Sequence, residues 1–373
     1  MNILYISNLS TNIAAGLNWS VPASIKAQSN FDNVFWLNLT NVEMDHWKET
    51  RTFHNIKEYQ ALDLEYLPEP FNHPDIVVFE GFYHPKDPKF ARLLDKKAIP
   101  YIIIPRSALT KQAQEGGFLK KIKKRIANLL IFKNYTKRAL AIQFLTEAEM
   151  RDSGSSWNKN SFIIPNGFNP TVSIKDQFSE HGLKSVFIGR LDYYQKGLDE
   201  LLNACALDRE FLLDHGFSLD IYGPRRYDWA KIEKQIEVYN ISNFVRLHNE
   251  VTGKEKEAIL LNSDLFILPS RFEGHPMGLI EALNYGLPCL VTPGSNMMRE
   301  IEENNAGWTC TTNAGSIAET LRQIFNEKSF LEGKSQNAMT LGRKYDWTEI
   351  SKKFHNTVQS LLNSDNKYHI NKI

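Results

Sequence analysis

Two glutamates, Glu273 and Glu281, are spaced so that their carboxylates could serve one ligand. Glu273 lies in a polar segment of turn residues, and Glu281 lies about one turn inside an apolar segment of helical period. Gly274 and Gly278 flank the predicted start of that helix, where free backbone N–H groups and the helix dipole attract anions. A diphosphate there would have one carboxylate near each end, which suits a sugar on one side and a ribose on the other. A solvent-facing side chain is the alternative for Glu281.

The elements that must position this pair follow one another as strand, loop, helix and strand. Residues 264–269 form a short apolar run that predicts a buried strand. Residues 277–285 have helical period, and Gly286 follows them as a C-terminal cap. The apolar run at 288–292 predicts the next strand. A unit of this kind is typical of a parallel sheet.

Two cations, Arg190 and Lys196, lie six residues apart in a second strand-to-helix loop. The strand before them is predicted to end at Gly189, and the helix after them to start near Gly197. Cations held in such a loop can neutralise a diphosphate leaving group without a metal ion.

The segment SRFEGHPMGLIEALNYGLPCLVTP, together with DLFILPS before it, resembles the retaining GT4-type glycosyltransferases of the GT-B fold. The Gly-Arg-x5-Lys-Gly arrangement resembles the phosphate clamp of the same family, which includes bacterial capsule, O-antigen and exopolysaccharide enzymes. The resemblance implies an α/β fold of two Rossmann-like, doubly wound domains that face each other across a cleft. It also implies a C-terminal helix that crosses back to the first domain.

The resemblance implies transfer of a hexosyl residue from a nucleoside diphosphate sugar, of UDP or GDP type, with retention of anomeric configuration. The acceptor would be a saccharide or a lipid-linked saccharide. Arg190 and Lys196 would stabilise charge on the departing diphosphate. Glu273 would hold donor-sugar hydroxyls, Glu281 would bind the ribose, and a donor phosphate oxygen would accept the acceptor proton. No metal ion and no cofactor are expected.

Further donor-binding residues are expected beside the glutamates and at the ends of two strands. They are Gly274, His275, Met277, Gly278, Leu279, Gly189 and Gly223. Members of the resembled family usually have a glycine at the place of Gly223, where the nucleotide approaches closely. His275 either hydrogen-bonds the donor sugar or shapes the pocket.

The first half of the chain alternates apolar runs with helical or polar stretches, which predicts a doubly wound sheet. The candidate strands are 3–7, 34–39, 76–80, 101–104, 141–145 and 162–164. The Gly-x-Gly-x-x-Gly motif is missing after the first strand, which counts against a dinucleotide-binding dehydrogenase.

Three residues of the first half are expected to line the acceptor side of the cleft. Gly16 and Asn18 lie where the first strand-to-helix loop opens into a helix, and an ordinary turn glycine is the alternative for Gly16. Arg106 follows the strand at 101–104 and could bind an acceptor phosphate or the leaving diphosphate. A solvated loop arginine is the alternative there.

Two domains are expected from the length of 373 residues. The first, an acceptor domain, is predicted over residues 1–170 with a C-terminal helix at about 350–373. The second, a donor domain, is predicted over 171–349. The turn signal Asn166-Gly167 and the polar residues at 173–181 mark the connection.

A basic segment at 111–138 contains nine Lys or Arg residues and one acid, Glu115. Within it, residues 119–138 interleave cations with leucine and isoleucine at helical spacing. Such a helix can lie on an anionic membrane face. The alternative is a core-packed helix with a charged outer face.

Composition excludes several other classes of protein. A net charge of +1 gives no signal for nucleic acid binding, and no apolar run reaches the length of a membrane span. The cysteines Cys205, Cys289 and Cys310 lack metal-ligand spacing. The N-terminus resembles a first strand more than a signal peptide, so a cytoplasmic protein is expected. If the basic segment binds lipid, the protein is peripheral on the inner face of the cell membrane.

Three other functions share the expected fold. A nonhydrolysing sugar-nucleotide epimerase would turn over the donor without an acceptor. A catalytically inactive scaffold subunit would recruit partners to the membrane. A phosphorylase would need inorganic phosphate and usually a pyridoxal cofactor, for which no lysine stands out as the anchor.

Overall fold

The computed structural model describes residues 1–11, 16–114, 118–169, 173–226 and 228–370. The chain divides into two compact units: unit 1 consists of Met1–Gly167 and Trp347–Ile373, and unit 2 consists of Phe168–Asp346. The sequence placed the domain boundaries at residue 170 and at about residue 350. Both lie within a few residues of the ends of unit 2.

Unit 1 contains one parallel sheet of seven strands, in the order β3-β2-β1-β4-β5-β6-β7. The strands are β1 Asn2–Ser7, β2 Asn33–Asn38, β3 Phe53–Asn55, β4 Ile76–Glu80, β5 Tyr101–Ile104, β6 Ala141–Phe144 and β7 Ser161–Ile163. The helices are α1 Leu17–Gln28, α2 Asp45–Lys48, α3 Lys86–Lys96, α4 Lys111–Gln114, α5 Phe118–Ala127, α6 Lys133–Arg138 and α7 Glu147–Ser153. A π-helical turn, Asn128–Phe132, joins α5 to α6.

The central strands of unit 1 are apolar along their length because a hydrophobic cluster covers each face of the sheet. Ile3 of β1 lies beside Ile76 of β4, and all residues of β4 are buried. Continuous apolar runs of this kind are typical of parallel sheets. The six strands predicted for this half are confirmed to within one residue at each end, whereas the three-residue β3 was not predicted.

Unit 2 contains one parallel sheet of six strands, in the order β10-β9-β8-β11-β12-β13. The strands are β8 Leu183–Ile188, β9 Phe217–Tyr222, β10 Val245–His248, β11 Leu265–Leu268, β12 Cys289–Val291 and β13 Gly307–Thr309. The helices are α8 Leu198–Leu207, α9 Arg209–Asp214, α10 Trp229–Val238, α11 Gly253–Asn262, α12 Met277–Asn284, α13 Met298–Glu303, α14 Ala314–Asn326 and α15 Leu331–Arg343.

The last helix, α16 (Trp347–Ile370), packs against α1 of unit 1. Its buried face joins the same hydrophobic cluster as Ile3 and Tyr5; the side chains are Trp347, Ile350, Phe354 and Val358. The predicted return of the C-terminal helix to the first domain is therefore confirmed. None of the helices within the described residues is long and apolar enough to cross a membrane.

Candidate active site

The candidate site lies where the strand order of unit 2 reverses direction. The chain runs from β8 to β9 on one side, and later returns to place β11 on the other side of β8. The loops that follow β8 and β11 therefore emerge side by side at the carboxyl edge of the sheet. In doubly wound folds such a switch point is where ligands bind.

An ion pair joins these two loops. Nζ of Lys196, in the loop after β8, lies 2.5 Å from Oε1 of Glu273, in the loop after β11. The Glu273 side chain is only 8% exposed, and the hydroxyl of Ser270 donates to the same oxygen at 2.6 Å. Asn296 donates its side-chain N–H to the backbone carbonyl of Glu273. The carboxylate is thus held at a fixed position beside a cation.

Arg190 lies in the same loop as Lys196. Its Nη2 donates to Oε1 of Gln195 at 2.6 Å, and Nε2 of Gln195 donates to the carbonyl of Phe272 at 3.2 Å. The backbone N–H of Arg271 donates to the Gln195 carbonyl at 2.8 Å. Gln195 therefore links Arg190 to the loop that carries the glutamate.

Arg271 ties the β11 loop to the first turn of α8. Its guanidinium binds both carboxylate oxygens of Asp199, at 2.6 and 2.8 Å, and Oε1 of Glu200 at 2.9 Å. A bidentate pair of this kind fixes orientation as well as distance. Because the guanidinium is occupied in this way, we assign Arg271 to loop positioning.

Glu281 pairs with a cation that the sequence did not reveal as its partner. Its Oε2 accepts from Nζ of Lys256 on the neighbouring helix α11, and the two side chains are 19% and 21% exposed. The alternative of a solvent-facing glutamate is therefore wrong. Glu281 lies about one turn inside α12, as the helical spacing predicted.

The first turn of α12 packs closely on the end of β8. A Cβ at Gly278 would lie 3.1 Å from the carbonyl oxygen of Ile188, so a glycine permits this approach. Within the described chain no side chain caps the first N–H groups of α12. Met277 is half-buried. The Leu279 side chain is fully buried in the core, so any contact it makes with a donor is confined to its backbone.

His275 and Gly274 complete the loop after β11. The His275 side chain is buried, and its ring lies 5.4 Å from the ring of Tyr345 at a tilt of 50°. The carbonyl of Gly274 accepts from Nδ2 of Asn296 at 3.2 Å. The burial of the His275 ring favours pocket shaping between the two predicted roles.

Gly189 and Gly223 directly follow the adjacent strands β8 and β9. Close packing explains why position 223 requires a glycine. A Cβ at Gly223 would overlap the carbonyl oxygen of Gly189 and the side chain of Leu191. Backbone hydrogen bonds continue the ladder past both strands, from Gly189 N–H to Tyr222 and from Gly223 N–H to His248. The predicted contact of these glycines with a nucleotide stays a prediction.

Gly16 and Asn18 lie at the carboxyl end of β1 in unit 1. Asn18 is buried, and its Nδ2 donates to the carbonyl of Ser10 at 2.5 Å. Its own carbonyl accepts from the Trp47 indole at 3.0 Å. Gly16 has φ of −54° and open space around its Cβ position, so its conformation does not require glycine. Residues 12–15 of the same predicted loop lie outside the described residues.

The side chain of Arg106 takes part in a buried ion pair. Its Nε lies 2.8 Å from Oε2 of Glu80, with side-chain exposures of 5% and 0%. Its Nη1 donates to Asn166 at 2.9 Å and to Ser20 at 3.3 Å. The alternative of a solvated loop arginine is wrong because the pair is enclosed by unit 1. A role in binding acceptor phosphate stays a prediction.

Metal-ligating groups and thiols of the described residues were the other candidates for a reactive centre. No group of three His, Cys, Asp or Glu side chains in those residues is placed to hold a metal ion. All three cysteines are buried, and burial raises the pKa of the Cys205 thiol to about 12.

Two Rossmann-like units, the second with paired cations and carboxylates at its switch point, define the architecture of the GT-B class. Residues 171–340 match the family described as glycosyl transferases group 1. This match covers somewhat less than half of the chain and agrees with the resemblance that the sequence motifs showed.

Two curated relatives match over part of their length. The chain is 28% identical over 147 residues to the putative colanic acid biosynthesis glycosyltransferase WcaL of Escherichia coli, covering 37% of this chain and 35% of that protein. It is 27% identical over 173 residues to an uncharacterized glycosyltransferase of Haemophilus influenzae, covering 45% and 46%. The chain thus spans less than half the length of these relatives.

One solved structure is similar to this chain over nearly its whole length. Anabaena Alr3699/HepE, in complex with UDP-glucose, superposes with a TM-score of 0.72 and 14% identity, covering 96% of this chain and 100% of that one. At this identity the likeness establishes the fold.

Proposed function

We propose that the protein is a retaining glycosyltransferase that transfers a hexosyl residue from a nucleoside diphosphate sugar to a saccharide or lipid-linked saccharide. The reaction would serve cell-surface polysaccharide synthesis. The observation that carries the proposal is the Lys196–Glu273 ion pair at the switch point of unit 2.

Charge stabilisation is the first task of the site. The leaving group of such a reaction is a diphosphate, on which negative charge grows in the transition state. A cation held in place before the reaction stabilises that charge without reorganisation. Lys196 is held by Glu273, and the Gln195 amide holds Arg190 in the same loop. We assign both cations to the departing diphosphate, so that no metal ion is needed.

Donor recognition is the second task. The uncapped start of α12 offers backbone N–H groups to phosphate oxygens. Glu273 would accept hydrogen bonds from sugar hydroxyls on one side, and Glu281 from ribose hydroxyls on the other. The proton of the acceptor hydroxyl would pass to a donor phosphate oxygen, which is compatible with retention.

The comparisons support a UDP sugar as the first donor to test. HepE is described in complex with UDP-glucose, and a second structure of similar fold is named as a lipopolysaccharide outer core galactosyltransferase. The name of WcaL refers to colanic acid biosynthesis, which supports a polysaccharide acceptor.

A transfer assay tests the proposal. The purified chain is incubated with UDP-glucose or UDP-galactose and with lipid-linked saccharides extracted from a bacterial envelope, and UDP release is followed with and without acceptor. Acceptor-dependent release that persists in EDTA is the expected result. Conversion of the donor sugar without acceptor would favour an epimerase, and donor binding without any turnover would favour the scaffold role.

A further inference from the structure

One stretch of unit 1 exposes an unusual concentration of aliphatic side chains. Of the thirteen large hydrophobic side chains exposed in the described residues, five lie within positions 122–131. They are Ile122, Ile126, Leu129, Leu130 and Ile131. Leu129 and Leu130, 76% and 68% exposed, are the most exposed of the thirteen. We propose that this aliphatic face, together with the cations beside it, docks the protein on the surface of an anionic lipid bilayer.

The opposite side of this segment is already packed. Asn128 and Phe132, at the two ends of the π-helical turn, are buried. The hydroxyl of Tyr83 donates to Oδ1 of Asn128 at 2.9 Å, and the ring of Phe132 lies 5.0 Å from that of Tyr83. The three aliphatic residues between these anchors therefore face outward without being needed for the core. An exposed aliphatic cluster of this kind marks an interaction surface.

Cations flank the aliphatic face, and the segment carries no acid to offset them. Residues 118–138 contain no Asp or Glu. Lys123, Arg125, Lys133 and Lys137 are exposed. Arg138 is different because its Nε lies 2.8 Å from Oδ2 of Asp95. At least four cations of the segment are thus exposed within a few residues of the leucines in the chain.

This combination fits a bilayer better than other partners. Leucine and isoleucine can enter the boundary between headgroups and acyl chains while lysines remain among lipid phosphates. A nucleic acid strand would use the cations but would leave the aliphatic side chains in water, and it is normally bound through aromatic stacking. A second copy of the chain would meet the same cations across a two-fold interface, with no acid in the segment to pair them.

The inference does not depend on the proposed transfer reaction, because membrane binding can be measured on the protein without any donor or acceptor. If the two proposals hold together, unit 1 is kept at the membrane surface, where a lipid-linked acceptor would be presented to it.

Vesicle sedimentation with the full chain tests the docking face. Vesicles of equal parts phosphatidylglycerol and phosphatidylcholine are compared with vesicles of phosphatidylcholine alone. The protein is expected to sediment with the anionic vesicles and to be released as salt is raised. Equal binding to both kinds of vesicle, or no binding to the anionic vesicles at low salt, would overturn the proposal.

The aliphatic contribution is tested by Leu129→Ser/Leu130→Ser. We expect the partition coefficient onto anionic vesicles to fall by at least about tenfold, because two side chains no longer enter the acyl boundary. The matched control is Leu207→Ser/Val238→Ser, which removes two aliphatic side chains of unit 2 that are 66% and 67% exposed and should leave binding unchanged. Wild-type binding by the first variant contradicts the inference.

The charge contribution is tested by Lys133→Gln/Lys137→Gln. Each lost cation is expected to weaken binding by about fivefold. Lys352→Gln/Lys353→Gln removes the same charge from exposed positions of α16 and should bind as wild type. Two other results would overturn the bilayer assignment: a dimer in solution that Leu129→Ser/Leu130→Ser dissociates, or capture of a single-stranded RNA that the lysine variant alone abolishes.

Discussion

Nζ of Lys196 and Oε1 of Glu273 are 2.5 Å apart, although the two residues are separated by 77 positions in the chain. The pair exists because β8 and β11 are neighbours in the sheet and each is followed by a loop at the same edge. It gives unit 2 a fixed cation beside a fixed carboxylate. Both are largely shielded from water, with side-chain exposures of 13% and 8%.

Lys196→Ala and Arg190→Ala should each lower turnover by at least about 100-fold, because a preorganised charge contact in a transition state is worth roughly 3 kcal/mol. The measurement is kcat in the acceptor-dependent assay. Lys254→Ala, which removes an exposed lysine of α11, is the matched control and should retain activity. Near-normal turnover in both site variants would remove the diphosphate assignment.

Lys256 should act on donor binding only through Glu281, since the two side chains form an ion pair. We expect Lys256→Ala to weaken donor affinity, and Glu281→Ala to weaken it by about tenfold or more through loss of a hydrogen bond to a charged group. The double variant should bind donor no more weakly than Glu281→Ala alone. Additive losses, measured by titration calorimetry, would show that Lys256 contacts the donor independently.

The sequence predicted the strands and the residue types of the candidate site because both are local signals. Apolar runs identify buried strands, and a Glu or Lys in a strand-to-helix loop can be identified without its partner. The partners Asn296 and Lys256 could not be predicted, since each is brought to the site by a different loop or helix. Gln195 lies in the same loop as Arg190, but its hydrogen bond to the carbonyl of Phe272 depends on the meeting of two loops and could not be predicted either. Only the sheet order determines which loops meet.

The burial of Arg106 could not be predicted from the sequence either. Its position after a strand suggested an exposed ligand-binding cation. Burial depends on what surrounds the loop, and here Glu80 of β4 and Asn166 near the end of the unit enclose it. The sequence carried no signal for a contact between residues so far apart.

Arg106→Ala should destabilise unit 1 by about 3–5 kcal/mol, because it leaves Glu80 buried without a counter-charge. The measurement is urea unfolding followed by circular dichroism. The double variant Arg106→Ala/Glu80→Gln also removes the unpaired charge of Glu80, so it should recover part of the lost free energy of unfolding. A single variant as stable as wild type would show that the ion pair is dispensable.

Asp87 should make stability depend on pH. Burial raises the pKa of Asp87 to about 7, against the opposing effects of the hydrogen bond from Asn8 and the charge of Lys86. A raised pKa means that folding favours the protonated carboxyl. The favourable contribution of Asp87 to the free energy of unfolding is therefore complete below the unfolded pKa of 3.8. This contribution is lost as the pH rises through about 7.

Asp87→Asn carries no such charge, so its stability relative to wild type should increase between about pH 4 and pH 7 and then level off. The increase should approach about 4 kcal/mol. Urea unfolding of both proteins across this range is the measurement, and the difference between them cancels carboxyl groups common to both. A pH-independent difference would contradict the raised pKa.

The central claim is that unit 2 binds a nucleoside diphosphate sugar at the switch point, and donor-induced thermal stabilisation tests it most directly. UDP, GDP, ADP and their common sugar conjugates are each added to wild type and to Glu281→Ala. At about 100 times its dissociation constant, a ligand stabilises by about 2.7 kcal/mol, which is visible as a higher Tm. The account predicts that one base raises the Tm of wild type and that Glu281→Ala loses the rise. No shift with any nucleotide, or the same shift in both proteins, would contradict it.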